Sequence, residues 1–335
     1  MIEYAAAETA RVQGWDACVR ALSASGLVSD AGPAEGNNML LMEGATHRTL
    51  RRLTRAQLSR PHLAAVAEHL DATAGRLVAA ALGDPAADLV ADVAEPLVLD
   101  AILSVLGVPD ERRARLAELT RSMLGLLEPD LPPERRRAAA NAALRATLLF
   151  ERDARAGRAA GFHAVLEAAA AAGEIPVKTA RSTPVVMLHG GYENPLNQLG
   201  CLAAWAVADP ERFAAAADAA PAAVFEEVLR AYSPVRAVAR WDAADGGRFV
   251  WVDLHSANHD ERRFPSPDAV DPAREPGHLG FGYGRHACPG AALARLEGRA
   301  LLRALRRVPA AALRAFTVQW RDGLVARGPR TITRR

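Results

Sequence analysis

From about Ala5 to Ala220, apolar residues recur at helical spacing in a background of Ala, Leu, Arg and Glu. Leu63, Val66, Leu70 and Ala74, for example, fall on one helical face. The pattern predicts a long succession of helices. It is interrupted at Gly32-Pro33, Gly83-Asp84-Pro85, Gly107-Val108-Pro109, Pro129 to Pro133, Gly173 to Pro176 and Asp209-Pro210, where turn-forming residues stop one helix and start the next. At about a dozen residues per helix this predicts roughly ten helices. Beyond Ser233-Pro234 the texture changes. Val235 to Arg240, Phe249 to Val252 and Phe316 to Val318 are short and rich in β-branched or aromatic residues, so they are expected as strands. Residues 253 to 287 are rich in Pro and Gly and too long for an ordinary connection, which makes them the first place to look for function. The pattern therefore predicts a mainly α fold with a small β lobe, in one domain spanning residues 1–335.

Composition narrows the class. The chain has 335 residues, 50% apolar and 24% charged, and its 41 Lys and Arg against 39 Asp and Glu give a net charge of +2. No chain-wide field favours nucleic acid or anionic lipid, so neither is expected as a partner. Cys18, Cys201 and Cys288 are too few and too scattered for a disulfide framework. Met1-Ile2-Glu3-Tyr4 does not open a secretory leader, and no apolar run approaches the roughly 20 residues of a membrane span. A cytoplasmic protein without a membrane anchor is expected.

One thiol has unusual surroundings. The long loop ends in His278-Leu279-Gly280-Phe281-Gly282-Tyr283-Gly284-Arg285-His286-Ala287-Cys288-Pro289-Gly290, and an Ala-, Leu- and Arg-rich helix follows to about Arg306. Gly282 and Gly284 allow positive φ and close backbone approach. Pro289 suits the first turn of a helix. A thiol facing helix N-terminal amides is biased toward thiolate, the form that ligates metals or attacks as a nucleophile.

At these residues the sequence resembles the cytochrome P450 family, whose haem-binding signature reads Phe, any two, Gly, any, His or Arg, any, Cys, any, Gly. Phe281, Gly284, His286, Cys288 and Gly290 match it. The resemblance implies a haem b cofactor (iron protoporphyrin IX) with Cys288 as its proximal ligand, Phe281 shielding the sulfur, His286 near a propionate, and Gly282 shaping the loop. Phe225-Glu226-Glu227-Val228-Leu229-Arg230 is similar to the family's K helix, with Glu227 and Arg230 as its structural ion pair. Asn258-His259-Asp260 and Asp271-Pro272-Ala273-Arg274 resemble the segment leading from that pair to the haem loop. Glu43 to Arg52 resembles the C helix, which implies propionate contacts from His47 and Arg51. Arg240 fits another propionate contact, while Arg236 and Arg240 remain unranked, one of them facing solvent or a substrate carboxylate. Trp15 to Leu22 resembles the B helix.

Two departures stand out. The family's oxygen-activating helix carries Ala or Gly, Gly, any residue, an acid and a threonine. Here Gly190-Gly191-Tyr192-Glu193-Asn194-Pro195 puts an acid at Glu193 but an amide at Asn194, and Pro195 favours a kink. Gly191, Glu193 and Asn194 are the candidate catalytic positions. Asn194 can hold water but does not relay protons as a hydroxyl does. The second departure is a front shorter than the family's, which implies a reduced N-terminal β region and an open distal mouth covered by little more than Gly36 to Met42. Met39, Leu41, Met187, Tyr192, Val235 and Arg236 are candidate substrate contacts.

The resemblance implies oxidation of a small organic or peptide substrate, as in secondary-metabolite biosynthesis, with electrons from a ferredoxin and ferredoxin-reductase type of donor. Oxidative aromatic cross-coupling and peroxide-driven oxidation are the alternatives. A haem-binding sensor or scaffold with degenerate oxygen activation is the non-enzymatic one.

Overall fold

The computed structural model describes residues 10–29, 39–242 and 248–335. The predicted helix start at Ala5, the Gly32-Pro33 break and the start of the covering segment at Gly36 lie outside them. Fourteen α-helices are present among the described residues: α1 (Trp15–Ser23), α2 (Gly44–Gln57), α3 (Arg60–Gly83), α4 (Glu95–Leu106), α5 (Asp110–Ser122), α6 (Pro133–Arg155), α7 (Gly161–Ala171), α8 (Val177–Gly190), α9 (Glu193–Ala208), α10 (Pro210–Ala219), α11 (Pro221–Tyr232), α12 (Leu254–Asn258), α13 (Ala291–Leu305) and α14 (Ala310–Leu313). Ten of these precede Ala220, as the spacing of breaks predicts. Helices α3, α4, α6, α10 and α11 begin with Pro in the first turn, where the missing N–H costs no bond. Gly107 ends α4 at φ 70°, a left-handed position open to glycine. Its missing side chain also lets Ala160 approach, since a Cβ would stand 2.4 Å from the Ala160 carbonyl carbon.

Helix α9 is the axis of the molecule. From Leu196 to Val207 every residue is buried, the all-round burial of a helix enclosed by others. Helix α13 packs between α3 and α9 and also meets α11, so the residues following Cys288 are anchored in the main core. Leu293, Ala300, Leu301, Leu302 and Leu305 carry that contact surface.

The β structure is small. Strands β1 (Ala10–Val12), β2 (Leu27–Val28), β3 (Ala237–Asp242) and β4 (Arg248–Asp253) form one sheet in the order β1-β4-β3-β2, with β1 parallel to β4 and the other pairs antiparallel. The front of the chain thus contributes two very short strands. Strands β5 (Phe316–Asp322) and β6 (Arg327–Arg334) form a hairpin with an irregularity at Gln319/Trp320, and β6 lies against α9. Strand β6 was not predicted. Its Arg-Gly-Pro-Arg start hides the alternation, yet Gly328 and Pro329 are what allow the contact, since a Cβ at Gly328 would stand 2.3 Å from Asn197 Oδ1.

Candidate active site

The loop before Cys288 is held by its own backbone. The Gly282 N–H donates to Leu279 O at 2.8 Å, Ala287 N–H to Gly284 O at 3.1 Å, and Cys288 N–H to Phe281 O at 2.7 Å. Gly282 and Gly284 adopt φ of 68° and 69°. Gly284 is constrained twice, because a Cβ there would stand 2.8 Å from the Leu22 carbonyl oxygen of α1. The Phe281 ring stacks near Phe225 and lies under the Arg295 guanidinium, 4.6 Å from its centroid. Cys288 itself is exposed, yet enough protein surrounds it for desolvation to raise its thiol pKa. The Gly290 N–H, Arg51 and Arg295 pull the other way but do not win. At this thiol desolvation outweighs the helix-end field that favours the thiolate.

Asn258 joins this loop to the helical body. Its Oδ1 accepts the Leu279 N–H at 2.7 Å, and its Nδ2 donates to Ser233 Oγ at 3.0 Å. Arg230 reaches the same place, donating to Asn258 O at 2.9 Å while pairing with both oxygens of Glu227 at 2.8 Å. The Glu227–Arg230 pair is buried, not the solvated bridge its spacing alone suggests. Glu227 also accepts from Asp271 N–H and Arg274, so the segment between α12 and the cysteine loop is fastened to α11.

Beside the loop lies a cationic cluster. Helix α2 presents His47, 3% exposed, and Arg51. His47 Nε2 and Arg51 Nε are sealed from solvent with no hydrogen-bond partner among the described residues, while Arg51 Nη2 donates to the Ala287 carbonyl. The His47 ring stacks on His286 at 4.4 Å. Arg240 is buried on β3, and desolvation, then the nearby Arg285, lowers its pKa to about 10. Arg236 stands 3.9 Å from Asp322, while Arg240 lies near Arg285 and Glu43. Glu43 accepts from His286 Nε2 at 3.0 Å, Arg285 Nε at 3.1 Å and Ser29 N–H at 3.2 Å. Burial works to raise the Glu43 pKa, but these donors bring it below the usual value. His286 thus meets Glu43 through Nε2, and its ring stacks on His47. Glu43, His47 and His286 are close enough to hold a cation. Beyond burial, Arg48, Arg51 and Arg285 lower the His47 pKa and Arg240 that of His286, so positive charge surrounds the two imidazoles.

The chain breaks again between α8 and α9. Pro195 cannot donate to the carbonyl of Gly191 and its ring crowds that carbonyl, so the helix stops at Gly191–Tyr192 and restarts at Glu193 with Pro195 in the new first turn. Val186 and Gly190 share one stripe of α8, and Asn194 continues it just beyond the break. A Cβ on Gly190 would meet nothing within 4 Å, and Asn194 is exposed beside buried Tyr192 and Glu193, so this stripe faces open space. Gly191 is packed instead, since a Cβ there would stand 2.7 Å from Ile102 Cδ1. Glu193 Oε2 accepts the Gly125 N–H at 3.0 Å. Burial raises the Glu193 pKa against that bond and the fields of Arg321 and Arg135. Tyr192 is buried, and its hydroxyl donates to Glu95 Oε1 at 2.5 Å.

Residues 222–307, which contain α11 and the cysteine loop, match the cytochrome P450 family model. The chain is 33% identical to nocardicin C N-oxygenase of Nocardia uniformis over 90% of its own length and 79% of that protein's. It is 30% identical to cytochrome P450 107B1 of Saccharopolyspora erythraea over 88% and 76% of the two chains. The chain belongs to the cytochrome P450 family. P450BioI, solved in complex with hexadec-9Z-enoic acid ligated acyl carrier protein, superposes with a TM-score of 0.82 over 96% of this chain and 90% of that one at 22% identity, a likeness of fold. Its family makes this P450 a monooxygenase enzyme of the haem-thiolate type, and among the described residues no helix is long and apolar enough to cross a membrane.

The residues present fit such a cofactor. An accessible sulfur within dense protein, a buried imidazole and a buried guanidinium each with an unpaired nitrogen among the described residues, and helix positions opening on space fit a haem and its carboxylates. Of the remaining candidates, Met39 is buried with its sulfur 3.9 Å from Thr54 Oγ1, Met187 is buried, and Leu41 and Val235 are partly buried. Sequence reasoning passed over Glu43 and His189. Each precedes a chosen residue, His47 and Glu193, by one helical turn, and that spacing was the available signal.

Proposed function

We propose that Cys288 is the axial thiolate of an iron protoporphyrin IX haem and that the protein oxidises a small organic or peptide substrate in secondary metabolism. The observation that carries this reading is the pairing of an accessible, closely surrounded Cys288 with the unused donors of His47 and Arg51 on the adjoining helix. When bound, the haem activates oxygen, and a thiolate ligand favours O–O cleavage. The chain's own part begins at the sulfur, where the Gly290 N–H, Arg51 and Arg295 favour the charged form and the Phe281 carbonyl fixes the Cys288 backbone. His47, Arg51 and Arg240 take the haem carboxylates, with Glu43 holding His286 and Arg285 in place. Asn194 holds a water on the open stripe, and Glu193 keeps a proton beside it. Met39, Leu41, Met187 and Val235 supply the apolar substrate surface.

Nocardicin C N-oxygenase supports a secondary-metabolite substrate, and the neighbour solved with a loaded carrier protein supports one held on a carrier. Electrons come from a ferredoxin-type donor in the cytoplasm. Arg52, Arg285 and Arg295 already pair with Glu174, Glu43 and Glu226, so an acidic donor must compete for them. Asn194 in place of a hydroxyl favours, as the second reading, oxidative coupling of aromatic rings without oxygen insertion. The deciding experiment is the spectrum of the reduced, carbon monoxide-treated protein. A red-shifted thiolate band is expected, lost in Cys288→Ser; a haem protein without that band, or one indifferent to the substitution, overturns the reading.

A further inference from the structure

His189 and Glu193 stand one helical turn apart, on the stripe beside Val186, Gly190 and Asn194. His189 is 8% exposed, and its Nε2 is sealed from solvent with no hydrogen-bond partner among the described residues. Glu193 Oε2 lies 3.6 Å from that nitrogen, while the same oxygen accepts the Gly125 N–H at 3.0 Å. A sealed nitrogen with no partner costs about 1–3 kcal/mol, so its retention in the interior needs a reason. The carboxyl poses the complementary problem. Among the described residues its one hydrogen bond is that of Gly125, and the cations whose fields reach it are Arg321 and Arg135. An ionised carboxylate there would be poorly compensated, whereas a carboxylic acid has an O–H to donate and an imidazole nitrogen beside it to receive it. Burial lowers the His189 pKa to about 4 and raises that of Glu193 above its usual value, so at each group burial favours the neutral form.

We infer that His189 is a positioning residue for Glu193, its Nε2 accepting a hydrogen bond from the carboxylic acid and holding that proton next to Asn194. A small rotation of the carboxyl closes the 3.6 Å gap. The imidazole takes the tautomer with its proton on Nδ1, and no charge is created in the dry interior. When Glu193 releases its proton toward the open stripe, the carboxylate remains on the Gly125 N–H and a solvent proton replaces the one lost. Asn194 has no hydroxyl to relay protons, so the chain depends on this acid staying loaded and oriented. The inference rests on the proposed role of Glu193 as the acid of the distal side.

Infrared difference spectra of the holoenzyme, wild type minus Glu193→Gln, isolate the carboxylic C=O band of Glu193. The band is expected at pH 7 at the frequency of a hydrogen-bonded acid. It should shift to the higher frequency of a free acid in His189→Leu and return in His189→Gln, whose amide oxygen can accept. Absence of the band in wild type, or an unshifted band in His189→Leu, overturns the inference. Should His189→Leu yield no holoprotein, His189→Met, with only a weak acceptor, takes its place under the same criteria. The carbon monoxide spectrum of each variant keeps the two readings apart: a normal thiolate band with an unshifted infrared band removes the role of His189 alone.

Discussion

Asn258 and Leu279 are joined by a 2.7 Å hydrogen bond from the Leu279 N–H to the Asn258 side-chain oxygen, and both residues are buried. This one amide ties the start of the cysteine loop to Ser233 at the end of α11. Asn258→Leu leaves the buried Leu279 N–H without this partner, at about 1–3 kcal/mol, while the Ser233 hydroxyl keeps its bond to Arg230 O. Chemical denaturation should show a loss of roughly 1–3 kcal/mol, together with faster haem loss to an acceptor globin. Unchanged stability would mean that the loop is held by its own turns alone.

Two glycines in the same loop should respond differently to one methyl group. Gly282 and Gly284 share a positive φ, but a Cβ on Gly282 meets nothing closer than 3.9 Å, whereas one on Gly284 meets the Leu22 carbonyl at 2.8 Å. Gly282→Ala should cost about 1–2 kcal/mol, the backbone penalty alone. Gly284→Ala adds a clash with backbone of α1 and should lower thermal stability and haem content further. Equal melting temperatures for the two variants would contradict this geometry.

The distribution of legible and hidden features follows from how each is encoded. The helices before Ala220 were readable because Pro and Gly punctuate them and their apolar faces repeat locally. Cys288, Gly284 and Phe281 were readable because a thiol loop packs its requirements into a few consecutive residues. Strand β6 was hidden because its fit depends on Asn197 and Gly200, more than a hundred residues away. The contact of Arg236 with Asp322 was hidden for a similar reason, since that aspartate comes from another hairpin. The break before α9 lies four residues ahead of the expected kink at Pro195, because a proline disturbs the carbonyl one turn earlier.

Stability should depend on pH through His255. Its desolvation, with the fields of His259 and Arg236, lowers its pKa from 6.5 to about 4. Between those values the unfolded chain binds a proton that the folded one refuses, so stability rises with pH across this window and is lost as the solution is acidified from about 6.5 toward 4. His255 is only partly buried, so solvent screening limits the effect to about 1–2 kcal/mol. Denaturation midpoints measured from pH 7 to pH 4 should fall less steeply for His255→Gln than for wild type. Parallel curves would show that this imidazole protonates as readily in the folded protein as in the unfolded one.

The exposed Asn194 allows a test of how the open stripe handles protons. Its neighbours Tyr192 and Glu193 are buried, so a substitution at 194 changes the group facing the space while leaving the packing behind it intact. Asn194→Thr replaces an amide that donates and accepts but does not relay with a hydroxyl that can pass a proton on. Because an added relay group contributes at most a general-acid effect, and Glu193 already lies next to it, the expected gain is about tenfold rather than the full range for such groups. With a surrogate ferredoxin system, peroxide released per reduced nicotinamide consumed should fall in the variant, and Asn194→Leu should raise it. If all three proteins leak peroxide equally, proton delivery does not pass residue 194, and the water on that stripe is held by other groups.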